Sequence, residues 1–155
     1  MERISQNELP EGLFDVVMAV QNYVNRSGID KKLEELMKMR VSLINGCAYC
    51  IDMHYKLALH YGESALRITS VSVWREVSYY SEKEKAVFEY AEVLTRMPEN
   101  TGIEKLHEKL SAFFSKSEIA QLALSIAQIN TWNRLMIAFG RTAGNFQVAS
   151  YRVAS

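Results

Sequence analysis

The chain has 155 residues, which suits one domain spanning residues 1–155, and it is 48% hydrophobic and 23% charged, as ordinary soluble globular proteins are. Its 18 Lys and Arg residues balance 18 Asp and Glu residues, so the zero formal net charge gives no electrostatic reason to expect nucleic acid or a membrane as a partner. The N-terminus lacks a basic segment followed by an apolar run, and no stretch approaches the roughly 20 apolar residues that span a bilayer. We therefore expect a cytoplasmic protein.

The apolar periodicity is helical almost throughout, and only two prolines interrupt it. This pattern predicts an all-α fold, a single helical domain of six to seven helices with its core in about residues 13–140. In chain order, the predicted helices are Leu13–Asn25, a helix that Asp30 caps and that carries apolar residues from Leu33 to Ile44, Ala48–Tyr61, a short helix near Ser64–Thr69, Glu82–Arg96, Gly102–Phe114 and Lys116–Phe139.

Three of these helices begin with the same signature, a hydroxyl residue followed three positions later by a glutamate. Each pair can form a capping box, in which the hydroxyl and the glutamate satisfy two amides that the helix leaves without partners. The pairs are Ser81 with Glu84, Thr101 with Glu104, and Ser115 with Glu118. Gly62 and Gly140 can each end a helix in a left-handed conformation. The segment from about Phe146 onward is expected to be a loose tail or a subunit contact.

A Cys-x-x-Cys motif follows the turn signal Asn45-Gly46, which places Cys47 at or near a helix N-terminus. The free amides and the positive end of the helix dipole favour a thiolate there. Cys50 lies three residues on and His54 seven residues on, so all three side chains share one helical face. His54 can then exchange a proton with Cys50 across one turn, which is the arrangement of an activated nucleophile with a second thiol in reach.

This arrangement suits the reduction of a peroxide. A thiolate attacks a peroxide oxygen and becomes a sulfenic acid, and the neighbouring thiol condenses with it to a disulfide. An external reductant restores the dithiol by exchange. The chemistry needs a base for the thiol proton and an acid for the leaving alkoxide or hydroxide, and a histidine can fill both roles.

Two other interpretations of the motif stay open. Both cysteines could be buried apolar side chains without chemistry. Cys47, Cys50 and His54 could also bind zinc with a carboxylate as fourth ligand, although a second paired motif is missing. Haem attachment is not expected, because Ile51 stands where that motif has histidine. No strand leads into a glycine-rich phosphate loop, so we expect no nucleotide and no other cofactor.

The residues around the motif resemble a known family. Glu35 lies twelve residues before Cys47, and the whole segment 35–54 is similar to the alkylhydroperoxidase D-like proteins, which belong with the carboxymuconolactone decarboxylases. The segments Trp74-Arg75-Glu76 and Ile129–Arg134 look like this family as well. The resemblance covers about residues 13–140 and implies an all-helical fold.

The resemblance also implies roles for the site residues. Glu35 and His54 would form a proton relay, Cys50 would attack the peroxide and Cys47 would resolve the product. Helix-dipole reasoning instead favours Cys47 as the more acidic thiol; we follow the family, because His54 lies one turn from Cys50. Tyr49 stands where the characterised peroxidase of the family has a histidine, and a phenol is a poor general base that can still donate a hydrogen bond.

The spacing by resemblance selects Glu35 as the glutamate that faces the cysteines. The adjacent Glu34 points about 100° away on the helix and is expected to be a solvated surface charge. Apart from the resemblance, Glu35 would also be interpreted as a surface residue.

The sequence thus predicts a thiol-dependent peroxidase with a small hydroperoxide substrate and a dithiol or protein as reductant. One alternative is a thiol–disulfide oxidoreductase or redox sensor that acts on protein disulfides, and another is a non-catalytic module with a metal at the Cys/His site. Lactone decarboxylation is not expected, because that branch of the family lacks the paired cysteines. The family's dimers, trimers and hexamers imply a homo-oligomer, with the site at or near a subunit interface.

Overall fold

The computed structural model describes residues 2–151, of Ser150 the backbone only, and these residues contain helices and turns but no strand. The all-α prediction is confirmed. The seven α-helices of this part of the chain are α1 (Leu13–Asn25), α2 (Lys31–Asn45), α3 (Ala48–His60), α4 (Ala65–Ser70), α5 (Glu82–Arg96), α6 (Ile103–Ser111) and α7 (Lys116–Phe139). Short 3-10 helices lie at Gln6–Glu8, Val71–Glu76 and Val148–Ser150. None of the helices described is long and apolar enough to cross a membrane.

Local side-chain chemistry sets several helix ends where the sequence places them. Ser81 and Ser115 both form the predicted capping boxes; Ser81 Oγ accepts from the amide of Glu84 at 3.2 Å, and Glu84 accepts from the amide of Ser81 at 2.7 Å. Gly140 ends α7 with φ of 71°, a conformation that costs glycine little. As a result, α5 and α7 have the predicted bounds, and α1 has its predicted bounds without a side-chain cap.

The third capping box was predicted wrongly. Gly102, with φ of 58°, is the residue that precedes α6, and no side chain caps the helix there. Because the chain turns in this left-handed conformation one residue after Thr101, the threonine lies too early to cap. The helix also ends at Ser111, three residues before the predicted end at Phe114.

Helix α2 lies at the centre of the fold and packs against α3, α5 and α7, while α1 lies along α7. The larger apolar core fills the space between α2, α5, α6 and α7, and both cysteines belong to it. A smaller core, which includes Leu36, Ile68, Trp74 and Phe88, lies on the other side of α2. Because α2 is surrounded, three of its charged side chains, Glu34, Glu35 and Lys38, are buried.

The C-terminal segment folds back onto α3, so the prediction of a loose tail was wrong for the residues up to 151. The amides of Gly144 and Phe146 donate to the Asp52 carboxylate at 3.0 and 3.4 Å. Lys56 donates to the carbonyls of the same two residues, at 3.0 Å each. These contacts bring Tyr151 beside the predicted site.

Candidate active site

The two cysteines lie on the tight turn that joins α2 to α3. Gly46 ends α2 with φ of 69°, and Cys47 precedes the first residue of α3. Cys47 Sγ accepts from the amide of Cys50 at 3.4 Å, as an N-terminal capping group does. The predicted position of Cys47 at a helix N-terminus is confirmed.

Hydrogen bonds among three asparagines, Asn45 at the end of α2 and two on α7, connect this turn to α7. The Asn45 amide group donates to the side-chain oxygens of Asn130 and Asn133, at 2.9 Å each. Asn133 donates in turn to Ser42 Oγ at 3.1 Å, and Asn130 to Thr95 Oγ1 at 3.0 Å. Since buried polar networks of this kind are costly to leave half-satisfied, the turn has one preferred geometry. This network explains the segment 129–134 that the sequence singled out.

The second segment singled out, 74–76, serves the packing around α2. Glu92 is 5% exposed, and its carboxylate accepts from Trp74 Nε1, Arg75 Nη1 and Arg40 Nε, each at 2.8 Å. Burial would raise the pKa of Glu92, but these donors and the positive charges lower it below its ordinary value. The carboxylate therefore ties α5 to α2 and to the 3-10 helix at Val71–Glu76.

Cys47 and Cys50 are joined by a disulfide, and each is only 1% exposed. Their environments differ. Cys50 belongs to the wall of a cavity of about 710 Å³, and Cys47 does not. A small molecule in that cavity can therefore reach Cys50 first.

The lining of the cavity is mostly apolar, with several polar and charged side chains. Its apolar side chains include Phe14, Met18, Met53, Ile129, Trp132 and Met136. The Trp132 ring is held in place, since its indole N–H donates to Gln21 at 2.8 Å. His54 and Lys38 supply charged or titratable groups, and the half-buried Tyr49 lies in the same wall. The cavity thus combines space for an organic molecule with a cysteine sulfur, an imidazole and an ammonium group.

Glu35 and His54 form a buried pair between α2 and α3. Their side chains are both 3% exposed, and His54 Nδ1 lies 2.6 Å from Glu35 Oε2. Burial alone would raise the pKa of Glu35, but the charges and hydrogen bonds of Lys38 and His54 outweigh it and hold the pKa at about 2. Glu35 is therefore a carboxylate, and Nδ1–H donates to it. The other ring nitrogen, Nε2, is buried and has no hydrogen-bond partner among residues 2–151.

The structure corrects the expectation for Glu34, which is 1% exposed rather than solvated. Lys38 lies between the two glutamates, with Nζ 3.0 Å from Glu34 Oε1 and 3.3 Å from Glu35 Oε1. Lys31 approaches Glu34 Oε2 from the surface at 3.0 Å. Burial would lower the pKa of Lys38, but the two carboxylates raise it above its ordinary value. Glu34 can be buried because both its neighbours on the helix face are cations.

Two further residues of the site were missed by the sequence interpretation, namely Lys38 and Tyr151. The only signal for Lys38 is its spacing from Glu34, which exposed ion pairs share. Tyr151 lies more than ninety residues from the motif, and no pattern connects the two. Among the described residues, no group of three or more His, Cys, Asp or Glu side chains is arranged to hold a metal ion.

Comparison with known proteins agrees with the residue pattern. The sequence profile of the carboxymuconolactone decarboxylase family matches residues 11–93. The chain is 38% identical to the uncharacterized protein YdfG of Bacillus subtilis (strain 168) over 145 residues, which cover 93% of this chain and 98% of that protein. It is 45% identical to the alkyl hydroperoxide reductase AhpD of Rhodopseudomonas palustris (strain BisA53) over 47 residues, which cover 30% of this chain and 26% of that protein.

Solved structures show the same fold. A protein of unknown function from Agrobacterium tumefaciens, suggested to be the antioxidant defence protein AhpD, superposes with a TM-score of 0.88 at 38% identity, covering 94% of this chain and 100% of that one. An uncharacterized peroxidase-related protein from Ralstonia eutropha JMP134, with an alkylhydroperoxidase AhpD core, superposes with a TM-score of 0.74 at 20% identity. The superposition covers 85% of this chain and 70% of that one. The chain therefore belongs to the carboxymuconolactone decarboxylase family and, within it, to the alkylhydroperoxidase D-like proteins.

Proposed function

We propose that this protein reduces organic hydroperoxides through a cycle between the Cys47/Cys50 dithiol and its disulfide. The observation that carries the proposal is that the cavity is lined by only one of the two cysteines. Both cysteines are packed in the core, but only Cys50 shares the cavity wall with His54. A peroxide in the cavity meets one thiol with a base beside it, and the second thiol is one helical turn away.

The reaction balances with these groups alone and one hydroperoxide. The Cys50 thiol gives its proton to His54 Nε2, and the thiolate attacks the terminal peroxide oxygen. The S–O bond forms, the O–O bond breaks, and the alkoxide leaves as an alcohol with the proton from His54. The Cys47 thiol then attacks the Cys50 sulfur, which forms the disulfide and releases water. In total, two thiols and one hydroperoxide give one disulfide, one alcohol and one water.

Glu35 acts through His54 rather than as a proton carrier. Because its pKa is about 2, it stays ionised and accepts the Nδ1–H bond throughout. This hydrogen bond fixes the orientation and the tautomer of the imidazole, as the carboxylate of a hydrolase triad does for its histidine. Nε2 then accepts and returns the proton. Tyr49 lines the same wall, and in the proposed cycle it donates a hydrogen bond to the peroxide or to the leaving oxygen.

The alternative of a protein disulfide as substrate is less compatible with the site. Exchange needs the attacking sulfur in line with the target disulfide, and Cys50 is only 1% exposed under an apolar wall. A small peroxide enters a cavity of this size, but a folded protein does not. The reductant that regenerates the dithiol must also reach this sulfur. Because the cycle requires the reduced cysteine pair, we propose that the protein acts in the reducing cytosol.

The test follows thiol loss after one equivalent of cumene hydroperoxide is added to pre-reduced, metal-free protein. The chain has only two cysteines, so the assay reads this pair alone. We expect rapid loss of both thiols in the unmodified protein, no reaction in Cys50→Ser, and a sulfenic acid that dimedone traps in Cys47→Ser. His54→Asn should slow the reaction by roughly 10²-fold or more, the usual contribution of a general acid–base group.

A matched control is His60→Asn, because His60 is exposed on the same helix and does not line the cavity. It should react like the unmodified protein. Thiol loss no faster than that of a small-molecule dithiol would contradict the proposal, and fast exchange with a protein disulfide would then favour the oxidoreductase.

A further inference from the structure

We infer that Lys38 is a positioning residue of this site, which fixes the tautomer of His54 by holding Glu35 between an ammonium group and the imidazole. The inference deepens the proposed function and rests on it for the chemistry of His54. Its evidence is geometric. Lys38 is 4% exposed, lines the cavity beside His54, and contacts the carboxylate that His54 also contacts.

The ion pairs form a continuous line from the surface to the imidazole. Lys31, a third exposed, contacts Glu34; Glu34 contacts Lys38; Lys38 contacts Glu35; and Glu35 contacts His54. Every contact in this line is between 2.6 and 3.3 Å. Charges therefore alternate along α2, and the line ends at the imidazole of His54 on α3.

Two other titratable groups face Lys38, and both are phenols. Tyr151 approaches from the C-terminal segment and Tyr61 from the end of α3. Burial raises the pKa of both above the ordinary value, so both are neutral at pH 7. Among the described residues, two buried carboxylates contact Lys38, and Lys31 contacts one of them from the surface. The ion pair of Glu2 and Arg141 lies in the wall of the same cavity.

This balance determines what removal of Lys38 does. Two buried carboxylates with one cation fewer must regain positive charge, and the available source is a proton. The proton can bind His54 at Nε2 or bind Glu35. If it binds Glu35, the protonated carboxyl donates to Nδ1 and the ring carries its hydrogen on Nε2. Both outcomes leave Nε2 without a free lone pair, so under the proposed function both remove the base for Cys50.

The experiment uses reduced protein in a Cys47→Ser background, where Cys50 is the only thiol. The rate of Cys50 alkylation by iodoacetamide is measured from pH 5 to 9, and the ¹⁵N spectrum of the histidine side chains gives the tautomer of His54. The variants are Lys38→Met, Lys38→Gln and Lys38→Arg. Lys85→Met is the matched control, since Lys85 forms an ion pair with Glu82 on the surface, away from the cavity. Neither readout involves peroxide, so failure of the peroxidase proposal would leave this test intact.

We expect Nδ1–H with a bare Nε2 in the parent protein and in Lys38→Arg and Lys85→Met. In Lys38→Met and Lys38→Gln, Nε2 should carry hydrogen at pH 7, and the alkylation profile should move to higher pH by about one unit or more. An Nε2–H tautomer in the parent protein would overturn the inference, whether or not the variants fold. Folded variants with the parent tautomer and profile would overturn it too.

A double variant separates charge balance from packing. Lys38→Met combined with Glu34→Gln removes one buried cation and one buried anion, so the net charge near His54 returns to that of the parent. We expect it to recover most of the parent pH profile. If Lys38 acts only by filling space, the second substitution adds damage instead, and a profile shifted further than that of Lys38→Met would refute a positioning role.

Discussion

Glu35 should stabilise the fold most strongly near neutral pH. Its pKa is about 2 in the folded protein, against 4.5 for an ordinary glutamate. At about 1.4 kcal/mol for each tenfold change in proton affinity, this difference is on the order of 3 kcal/mol. Because the folded-state pKa is the lower one, the contribution is complete above about pH 4.5 and is lost as the pH falls toward 2. Replacement by glutamine should remove this pH dependence while it keeps the size of the side chain.

The assay is urea unfolding of the oxidised protein at a series of pH values between 7 and 2. In that range the unfolding free energy of the unmodified protein should fall by about 3 kcal/mol more than that of Glu35→Gln. Glu99→Gln is the control, since Glu99 is exposed and forms no ion pair among the described residues, and its curve should follow the parent. If the unfolding free energies of the parent and of Glu35→Gln changed equally with pH, Lys38 and His54 would not hold Glu35 in its ionised form. That result would refute the assignment of the His54 tautomer.

Three further predictions concern stability and assembly. Glu92→Gln should lower the unfolding free energy by about 3 kcal/mol, because one indole and three guanidinium groups lose a buried anion. Glu82→Gln, at an exposed site, should change it little, and equal midpoints of the two variants in urea would contradict the prediction. Gly46→Ala should cost about 1 kcal/mol in the same assay, since φ of 69° strains alanine although space is free around it, and a neutral effect would show that the turn can relax. Sedimentation should reveal a dimer, trimer or hexamer, consistent with exposed apolar side chains such as Val16 and Leu66; a fully active monomer would contradict the predicted interface.

The fold could be predicted from the sequence because its signals are local. Ser81 and Ser115 with their glutamates, and Gly140 after the last apolar turn, act within one helical turn, so the bounds of α5 and α7 follow from the pattern. The same argument failed at Thr101, because a capping pair says nothing about the left-handed Gly102 between its members. Local patterns give the helices, but a backbone turn can displace a cap.

The site was only partly predictable, because burial of charge depends on the whole fold. The cysteines and His54 share one helix face, so their spacing alone brings them together. Glu34 and Lys38 have the spacing of an ordinary surface pair, and only the packing of α3 over α2 makes that pair part of the site. Tyr151 arrives through contacts between the C-terminal segment and α3 that no sequence period records.

The conflict between the two cysteines resolves once access and acidity are separated. In the proposed cycle, a small oxidant would reach Cys50 through the cavity, while the amides at the N-terminus of α3 would favour the anionic form of Cys47. In disulfide exchange the incoming thiol attacks the accessible sulfur, and the other leaves faster the more acidic its thiol is. Attack of a reductant on Cys50 therefore expels Cys47 as the stabilised thiolate. In the proposed cycle, access at Cys50 would govern oxidation, and acidity at Cys47 would govern the return to the dithiol.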